Sequence, residues 1–588
     1  MNKWNLDSLY LGFDEKYQAD IEKLDLLIEE FVMFAKTLTG YNNTEQQLVN
    51  YIKLSESFNN LVRTVYAYPS LRSATDTADT EATKYLDILG AKMTKMTEPN
   101  VIFTKWLKEV DLDKFDNPLI IANLFALKED KQAALHMLSD AEEVMYSKLN
   151  ISGGSSWGKL QSKLTAKLMV DIELNGESKQ LPLTAIRNLA YDGDAIVRKN
   201  AYFAELEGYK KIEDAVAMAL SNIKRQTNAM NELRGYDKPV EPTLESSRMS
   251  KETLDAMMNS MHKYLPEFRR YMKKKAQYLG YDGGLPFYDL FAPIGNSSKT
   301  YSYEEAQEVV LENFGMFSDK LKELAKTSFD QKWIDVEPRP GKRGGAFCSN
   351  LPSIKESRMM LNFDGSFSNV TTMAHELGHA YHGSVMCENT PLNWGYPMPL
   401  AETASIICET IVKENIIKTL EREEELTILE ASLMDSNQVI VDIMSRYLFE
   451  ENVFEKTKQL SLNPDDLCSM MEDAQKQTYG DGLDHQFLHP YMWLNKGHYY
   501  SSGLHFYNFP YAFGLLYAKG LYAQYLKDND AFVEKFDKML IETTKNSVEN
   551  VALMMDIDIT KEDFWCDSLE IIKGEIDRFC DLVDQLKK

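Results

Sequence analysis

His375-Glu376-Leu377-Gly378-His379 makes the firmest local demand on the fold of this chain. Residues four apart stack on one face of an α-helix, so a helix here presents both imidazoles to a single point, with Glu376 beside them. That is the H-E-x-x-H arrangement: two ligands for one zinc ion and one carboxylate to act as a base, all from a single turn. The chain holds only nine His in 588 residues, so the pairing carries weight. Val370, Met373, Ala374, Leu377 and Tyr381 recur at helical spacing, which predicts a helix from Val370 with Asn369 as its N-cap. Leu361-Asn362-Phe363-Asp364-Gly365-Ser366-Phe367 before it reads as a short strand and turn. Gly378 falls mid-helix at a cost of about 1 kcal/mol relative to Ala, acceptable where another backbone or a substrate must pass close by.

A catalytic zinc takes three protein ligands and keeps a position for water. The segment Leu400–Glu409, following Pro391, Pro397 and Pro399, reads as helical and offers Glu402 as the third ligand. Glu402, Ile406 and Glu409 share one face, so Glu409 is expected behind the ligands, orienting a His. Solvated surface charge is the plainer reading of both glutamates. His382 lies seven residues after His375 on the same stripe. It is a further turn away, so supporting a ligand or touching substrate is its expected role rather than coordination.

The balance of 65 Lys plus Arg against 90 Asp plus Glu gives a net charge of −25, which argues against nucleic acid as a partner. Hydrophobic residues at 44% and charged residues at 26% suit an ordinary soluble protein. No apolar run approaches the roughly 18 residues of a membrane span. The N-terminus shows no signal core, and the six Cys include no C-x-x-C pair, so reduced thiols and a cytoplasmic location are expected. Amphipathic helical patterns, such as Leu24, Leu27, Ile28, Phe31, Ala35 and Leu38, recur through roughly residues 10 to 225, broken by the Gly/Ser cluster at 151–156. The turn cluster Arg234–Pro239 is a candidate boundary. The division we expect is an N-terminal helical domain at 1–200 and a catalytic domain at 201–588.

Strand character is confined to about residues 333–365, where a glycine-rich tract containing Gly345, Ala346 and Phe347 precedes the motif. Extended backbone there predicts a sheet edge able to pair with a peptide, with those three residues binding substrate. Nearer the C-terminus, His498, Tyr499, Tyr500, His505, Tyr507 and Tyr511 crowd into 14 residues. Neutral Tyr O–H and His N–H groups can stabilise the oxyanion of peptide hydrolysis, although aromatic stripes are as often core packing.

These motifs resemble the thimet oligopeptidase and oligoendopeptidase F family of zinc metallopeptidases, most closely its bacterial oligoendopeptidase F branch. The resemblance rests on Gly341–Cys348, His375–His382, Glu402–Ser405 with Glu409, and Phe506–Gly514, with weaker echoes at Trp4-Asn5-Leu6, Ser155-Ser156-Trp157 and Phe287–Leu290. It implies a mostly α, bilobed, zincin-like body with a small sheet beside the metal helix and a deep internal channel. It also implies one Zn2+ per chain held by His375, His379 and Glu402, and short peptides cut at internal bonds by a metal-activated water with Glu376 as base. His498 and Tyr511 would assist the oxyanion, with Tyr507 as rival and His505 as rival or substrate contact. A zinc exopeptidase of carboxypeptidase or dipeptidase type is the alternative within enzymes, and a non-catalytic zinc-stabilised peptide-binding protein the alternative outside them. Manganese or cobalt would also suit such a nitrogen and oxygen donor set.

Overall fold

Helical periodicity carries through nearly the whole chain, and helices dominate the computed structural model, which describes residues 2–38, 43–295 and 299–586, the side chain of residue 530 aside. The chain divides into two compact units, each assembled from three stretches. One comprises Met1–Met137, Lys299–Lys418 and Gln524–Ile557; the other comprises Leu138–Ser298, Thr419–Ala523 and Asp558–Lys588.

In the first unit, Asp14 caps the helix Glu15–Thr37 by accepting the Tyr17 N–H. The predicted stripe faces inward: Leu24, Ile28, Phe31 and Ala35 are buried, and the first three share a core with Leu61, Val65 and Leu71 of the helix Thr44–Thr75. Leu351 and Met360, from the sheet that precedes the motif helix, join the same core. Burying side chains of this size contributes about 1.5–3 kcal/mol each.

The second unit is organised around two long helices, Lys251–Leu279 and Glu562–Leu586, which pack along one another. Leu265, Phe268 and Met272 on one and Leu569, Ile572 and Ile576 on the other are fully buried. The Tyr271 and Phe579 rings meet edge to face at 5.3 Å between centroids. The turn cluster at 234–239 lies inside this unit, where Gly235 closes the helix Glu213–Arg234 in the left-handed conformation. The Gly/Ser cluster at 151–156 interrupts helix at Gly153 alone, because a new helix begins at Gly154.

Two small sheets occur among the described residues. Strands β1 (Met169–Leu174) and β2 (Glu177–Pro182) form an antiparallel hairpin in the second unit. In the first unit, β3 (Ile334–Asp335), β4 (Phe347–Leu351) and β5 (Glu356–Met360) form a sheet in the order β3-β5-β4, with β4 on its edge. β5 runs parallel to β3 and antiparallel to β4. Its line continues past Met360, where the Leu361 and Phe363 N–H groups donate to the carbonyls of Asp335 and Val336. No helix among the described residues is long and apolar enough to cross a membrane.

Candidate metal centre

The motif helix spans Phe367–Met386, three residues longer at its start than the apolar spacing indicates. Asn369 is not its cap. It turns its side chain back to accept the Asp364 N–H at 2.5 Å, while Asp364 accepts the Ser366 N–H at 2.9 Å. That turn launches the helix from Ser366. Val370, Met373, Ala374, Leu377 and Tyr381 are all buried, so the opposite stripe, carrying His375 and His379, faces a different environment.

The carboxylate segment is helical but broken at the residue that matters. A short helix Met398–Ala401 stops at Glu402, and the helix Thr403–Ile417 starts directly after it. Glu402 (φ −92°, ψ 4°) is thereby the N-cap of the second helix, and its carbonyl accepts the Ile406 N–H. The motif helix and the Thr403–Ile417 helix lie in intimate contact, and Gly378 is the reason they can. A Cβ on Gly378 would stand 2.6 Å from Ser405 Cα and 2.7 Å from Ala404 O, both backbone atoms that cannot swing aside. The glycine cost inside the helix is the cost of this approach.

The approach brings His375, His379 and Glu402 together, with one donor atom from each within 4.8 Å of the others. Glu402 Oε2 lies 3.1 Å from His375 Nε2 and 3.4 Å from His379 Nε2, and the two rings meet at 83° with centroids 4.9 Å apart. Ser405 Oγ donates to Glu402 Oε2 at 2.8 Å, steadying the carboxylate. Behind the cluster, Glu409 Oε2 lies 3.1 Å from His375 Nδ1. An ionised carboxylate can only accept, so Nδ1 carries the hydrogen and Nε2 is left to point at Glu402.

Burial works against charge on His375, yet Glu402 and Glu409 outweigh it and raise the ring to about 10. Burial likewise opposes charge on Glu402, but His375 and His379 hold its carboxyl well below the ordinary range. The cluster therefore retains a proton between its carboxylates. A divalent cation is the group that displaces such a proton. Two imidazole nitrogens and one carboxylate oxygen form the donor set of an open catalytic site.

Glu376 is 6% exposed, and its Oε2 is buried with no hydrogen-bond partner. Burial pushes its carboxyl above the usual value, against the pull of His375 and His379. A buried polar atom left unmatched is costly to maintain, which marks Glu376 as a group aimed at something other than the protein.

Of the other expected residues in this unit, His382 is fully buried. Its Nε2 lies 2.8 Å from Thr543 Oγ1, and its ring stacks on Tyr396 at 4.2 Å. Enclosed between Thr543 and Tyr396 and shut off from solvent, it presents no exposed edge to a substrate. Phe347 opens edge strand β4, with Gly345 and Ala346 just before it. Asn350 on β4 donates to the His379 carbonyl at 3.2 Å, tying the sheet edge to the motif helix. Gly383 makes room for that tie, since a Cβ there would fall 2.2 Å from the Asn350 side chain. Asn350 and Ser405 are the supporting residues the sequence reading missed. Ser405 follows Glu402 by three residues on a helix, a spacing that could have flagged it, whereas no local pattern marks Asn350.

The polar rings of the second unit divide into two groups. His498 Nε2 accepts from Asn508 Nδ2 at 2.9 Å, and burial, followed by Arg446, lowers its ring to about 3, so it is neutral. The Tyr511 hydroxyl, on a side chain 37% exposed, donates to Tyr507 Oη at 2.9 Å. His505 corrects expectation. It is 6% exposed, with Nδ1 accepting from Lys224 Nζ at 3.2 Å and Nε2 meeting Thr227 Oγ1 at 3.0 Å. Both ring nitrogens are committed inside the unit, so no donor remains for a peptide. Between His505 and Tyr507, Phe506 adopts φ 51°, a strained value for an aromatic residue. Its N–H is held by Glu450 at 3.1 Å.

Residues 188–571 match peptidase family M3, a stretch that contains both the motif helix and the Glu402 segment. An oligoendopeptidase F homolog from Lactococcus lactis subsp. lactis is 24% identical, over 99% of this chain and 97% of its own length. A crystal structure described as a "putative peptidase" from Chlamydophila abortus superposes with a TM-score of 0.85 at 19% identity, covering 99% of this chain and 98% of that one. Oligoendopeptidase-F from Enterococcus faecium gives 0.71 at 19% identity, covering 96% of this chain and all of that one. The mostly helical fold is thus shared with solved peptidases, and the chain belongs to peptidase family M3.

Proposed function

We propose that the chain is a zinc-dependent oligoendopeptidase that hydrolyses internal bonds of short peptides. The observation that carries this reading is the convergence of His375, His379 and Glu402 beside a buried Glu376 carboxylate that has no partner in the protein. His375, His379 and Glu402 are the proposed zinc ligands, and Glu409 orients His375. A zinc ion, when bound, supplies Lewis acidity toward the scissile carbonyl and the attacking water. Glu376 takes the water's proton and passes it to the leaving amine, the task of a general base that turns acid. The unpaired edge of β4 suits main-chain hydrogen bonding to an extended substrate, with Gly345, Ala346 and Phe347 along it. His498, Tyr507 and Tyr511 are proposed as neutral donors to the oxyanion.

The catalytic part is assigned to residues 201–588, a division supported by the family match over 188–571. All six cysteines are free, which suits the reducing cytoplasm we assign. Mass spectrometry of products from end-blocked and free peptides, with and without a chelator, tests the proposal. Cleavage inside blocked peptides, lost with chelator and restored by zinc, is expected. Release of terminal residues alone would make the enzyme an exopeptidase, and intact peptides in the presence of zinc would contradict hydrolysis altogether.

A further inference from the structure

A recess of about 150 Å3 opens in the second unit, far in sequence from the motif helix. Its walls are largely aromatic: Tyr191, Tyr202, Phe287, Tyr288 and Phe291. A volume of that order takes one benzene-sized ring. Three features show that the recess is built for more than packing.

The first is His489, only 2% exposed, with neither ring nitrogen hydrogen-bonded. Its Nε2 stands 3.6 Å from Glu205 Oε1, an ion-pair distance longer than a hydrogen bond. A neutral imidazole has one donor and one acceptor to satisfy, and burying both unmade is costly. The ring is positioned by a tilted contact with Phe287 at 5.0 Å and an edge contact with Tyr202 at 5.9 Å.

The second is charge. Four ionisable side chains, Arg187, Arg198, Glu205 and Lys496, line the recess, and three are paired. Arg198 pairs with Asp289 at 2.7 Å, and Arg187 Nε with Glu205 at 3.3 Å. Glu205 also accepts the Tyr209 hydroxyl at 2.5 Å. Lys496, the fourth, has no hydrogen-bond or ion-pair partner among the described residues and leaves one cation uncompensated. Burial, then the Arg446 guanidinium, pushes its ammonium down to about 7, a state that a nearby anion would reverse.

The third is backbone. Gln438, also on the wall, begins a five-residue π-helix through Asp442, a rare distortion found most often where a helix serves a site.

We propose that this recess binds a monocarboxylate carrying one aromatic ring, its carboxylate held by the Lys496 ammonium and the His489 N–H and its ring enclosed by the aromatic wall. One uncompensated cation matches one negative charge, and the volume matches one ring. Such a group comes either as a small free acid or as the aromatic C-terminal residue of a peptide.

Calorimetric titration of the full chain with benzoate tests the site, with benzamide as its neutral counterpart. The readout is binding rather than turnover, so the result is independent of the proposed peptidase activity. Saturable benzoate binding is expected, with benzamide weaker by about tenfold or more, the difference a charged hydrogen-bonding pair makes. Lys496→Met should weaken benzoate by a similar factor, and Lys496→Arg should retain it. Ala190→Leu, which narrows the recess without changing charge, should abolish binding of benzoate while leaving the unfolding temperature near that of the parent. Displacement of benzoate by acetylglycylphenylalanine but not by its amide would assign the site to peptide C-termini. No displacement by either would assign it to free acids, and both results support a carboxylate site. Absence of saturable benzoate binding to the folded protein, equal binding of benzamide, or unchanged affinity in Lys496→Met would overturn the proposal.

Discussion

The candidate metal cluster of the first unit and the ring cluster of the second are both rich in His, yet their polar atoms are spent differently. At His375, His379 and Glu402 the donor atoms converge on one another, and Glu376 keeps an oxygen that nothing in the protein uses. At His505 every ring nitrogen is consumed by Lys224 and Thr227, and the ring serves the interior. Density of polar rings in a sequence is therefore a poor guide to chemistry. What distinguishes a site is whether the fold leaves polar atoms convergent or uncommitted. His498, Tyr507 and Tyr511 stand between these extremes, His498 bonded to Asn508 and Tyr511 to Tyr507.

Substitutions put this contrast to the test. Glu376→Gln should have the largest effect, lowering kcat by about 10²- to 10⁴-fold while metal content stays unchanged. Substantial turnover in that variant would contradict the base assignment. His498→Gln should cost about 10²- to 10³-fold, the value of one oxyanion donor. Because His498 is held at about 3, it is already neutral throughout the range from pH 5 to 8 and loses no proton there. The kcat/KM profile of the variant should accordingly drop in height without moving its acid limb. A displaced limb would mean that His498 titrates in the working range.

Glu409→Ala should weaken metal affinity by about 10- to 100-fold, as loss of a carboxylate behind a ligating His does. Unchanged affinity by competition with a chromogenic chelator would remove Glu409 from the centre. His505→Gln should have the smallest effect on catalysis and a measurable one on stability. Loss of the Lys224 and Thr227 bonds should cost about 1–3 kcal/mol in urea unfolding while kcat/KM per folded molecule holds. A large loss of turnover in a fully folded His505→Gln protein would return that ring to the functional group.

The proposed metal ligands were legible in the sequence because their signal is local. An i, i+4 pair of His with a Glu between them depends only on helix geometry, and the stripe from Val370 to Tyr381 supplied the helix. Glu402 was legible as a carboxylate in a helical context, but the helix break at that residue was not, since Leu400–Glu409 contains neither Gly nor Pro to mark it. The break stands beside the contact of Ala404 and Ser405 with Gly378, a tertiary approach that no local pattern announces. The start of the motif helix was misjudged for a similar reason: Asn369 has the chemistry of a cap and uses it on Asp364 instead. Mid-helix glycine did signal a close approach, though not its partner. The division into two units, each drawn from three separated stretches, lies beyond any reading of linear periodicity, because it is made of contacts distant in sequence. The fate of His505 was hidden likewise, since Lys224 and Thr227 come from nearly three hundred residues away.

In the proposed enzyme His375, His379 and Glu402 together hold a divalent ion on which turnover depends. Metal content per chain, measured on the purified protein and on Glu402→Ala beside cleavage of a quenched peptide, tests it most directly. The account expects about one zinc per parent chain, with metal and cleavage lost together in a variant that remains folded by circular dichroism. A Glu402→Ala protein that keeps its zinc and still cuts the peptide would contradict it.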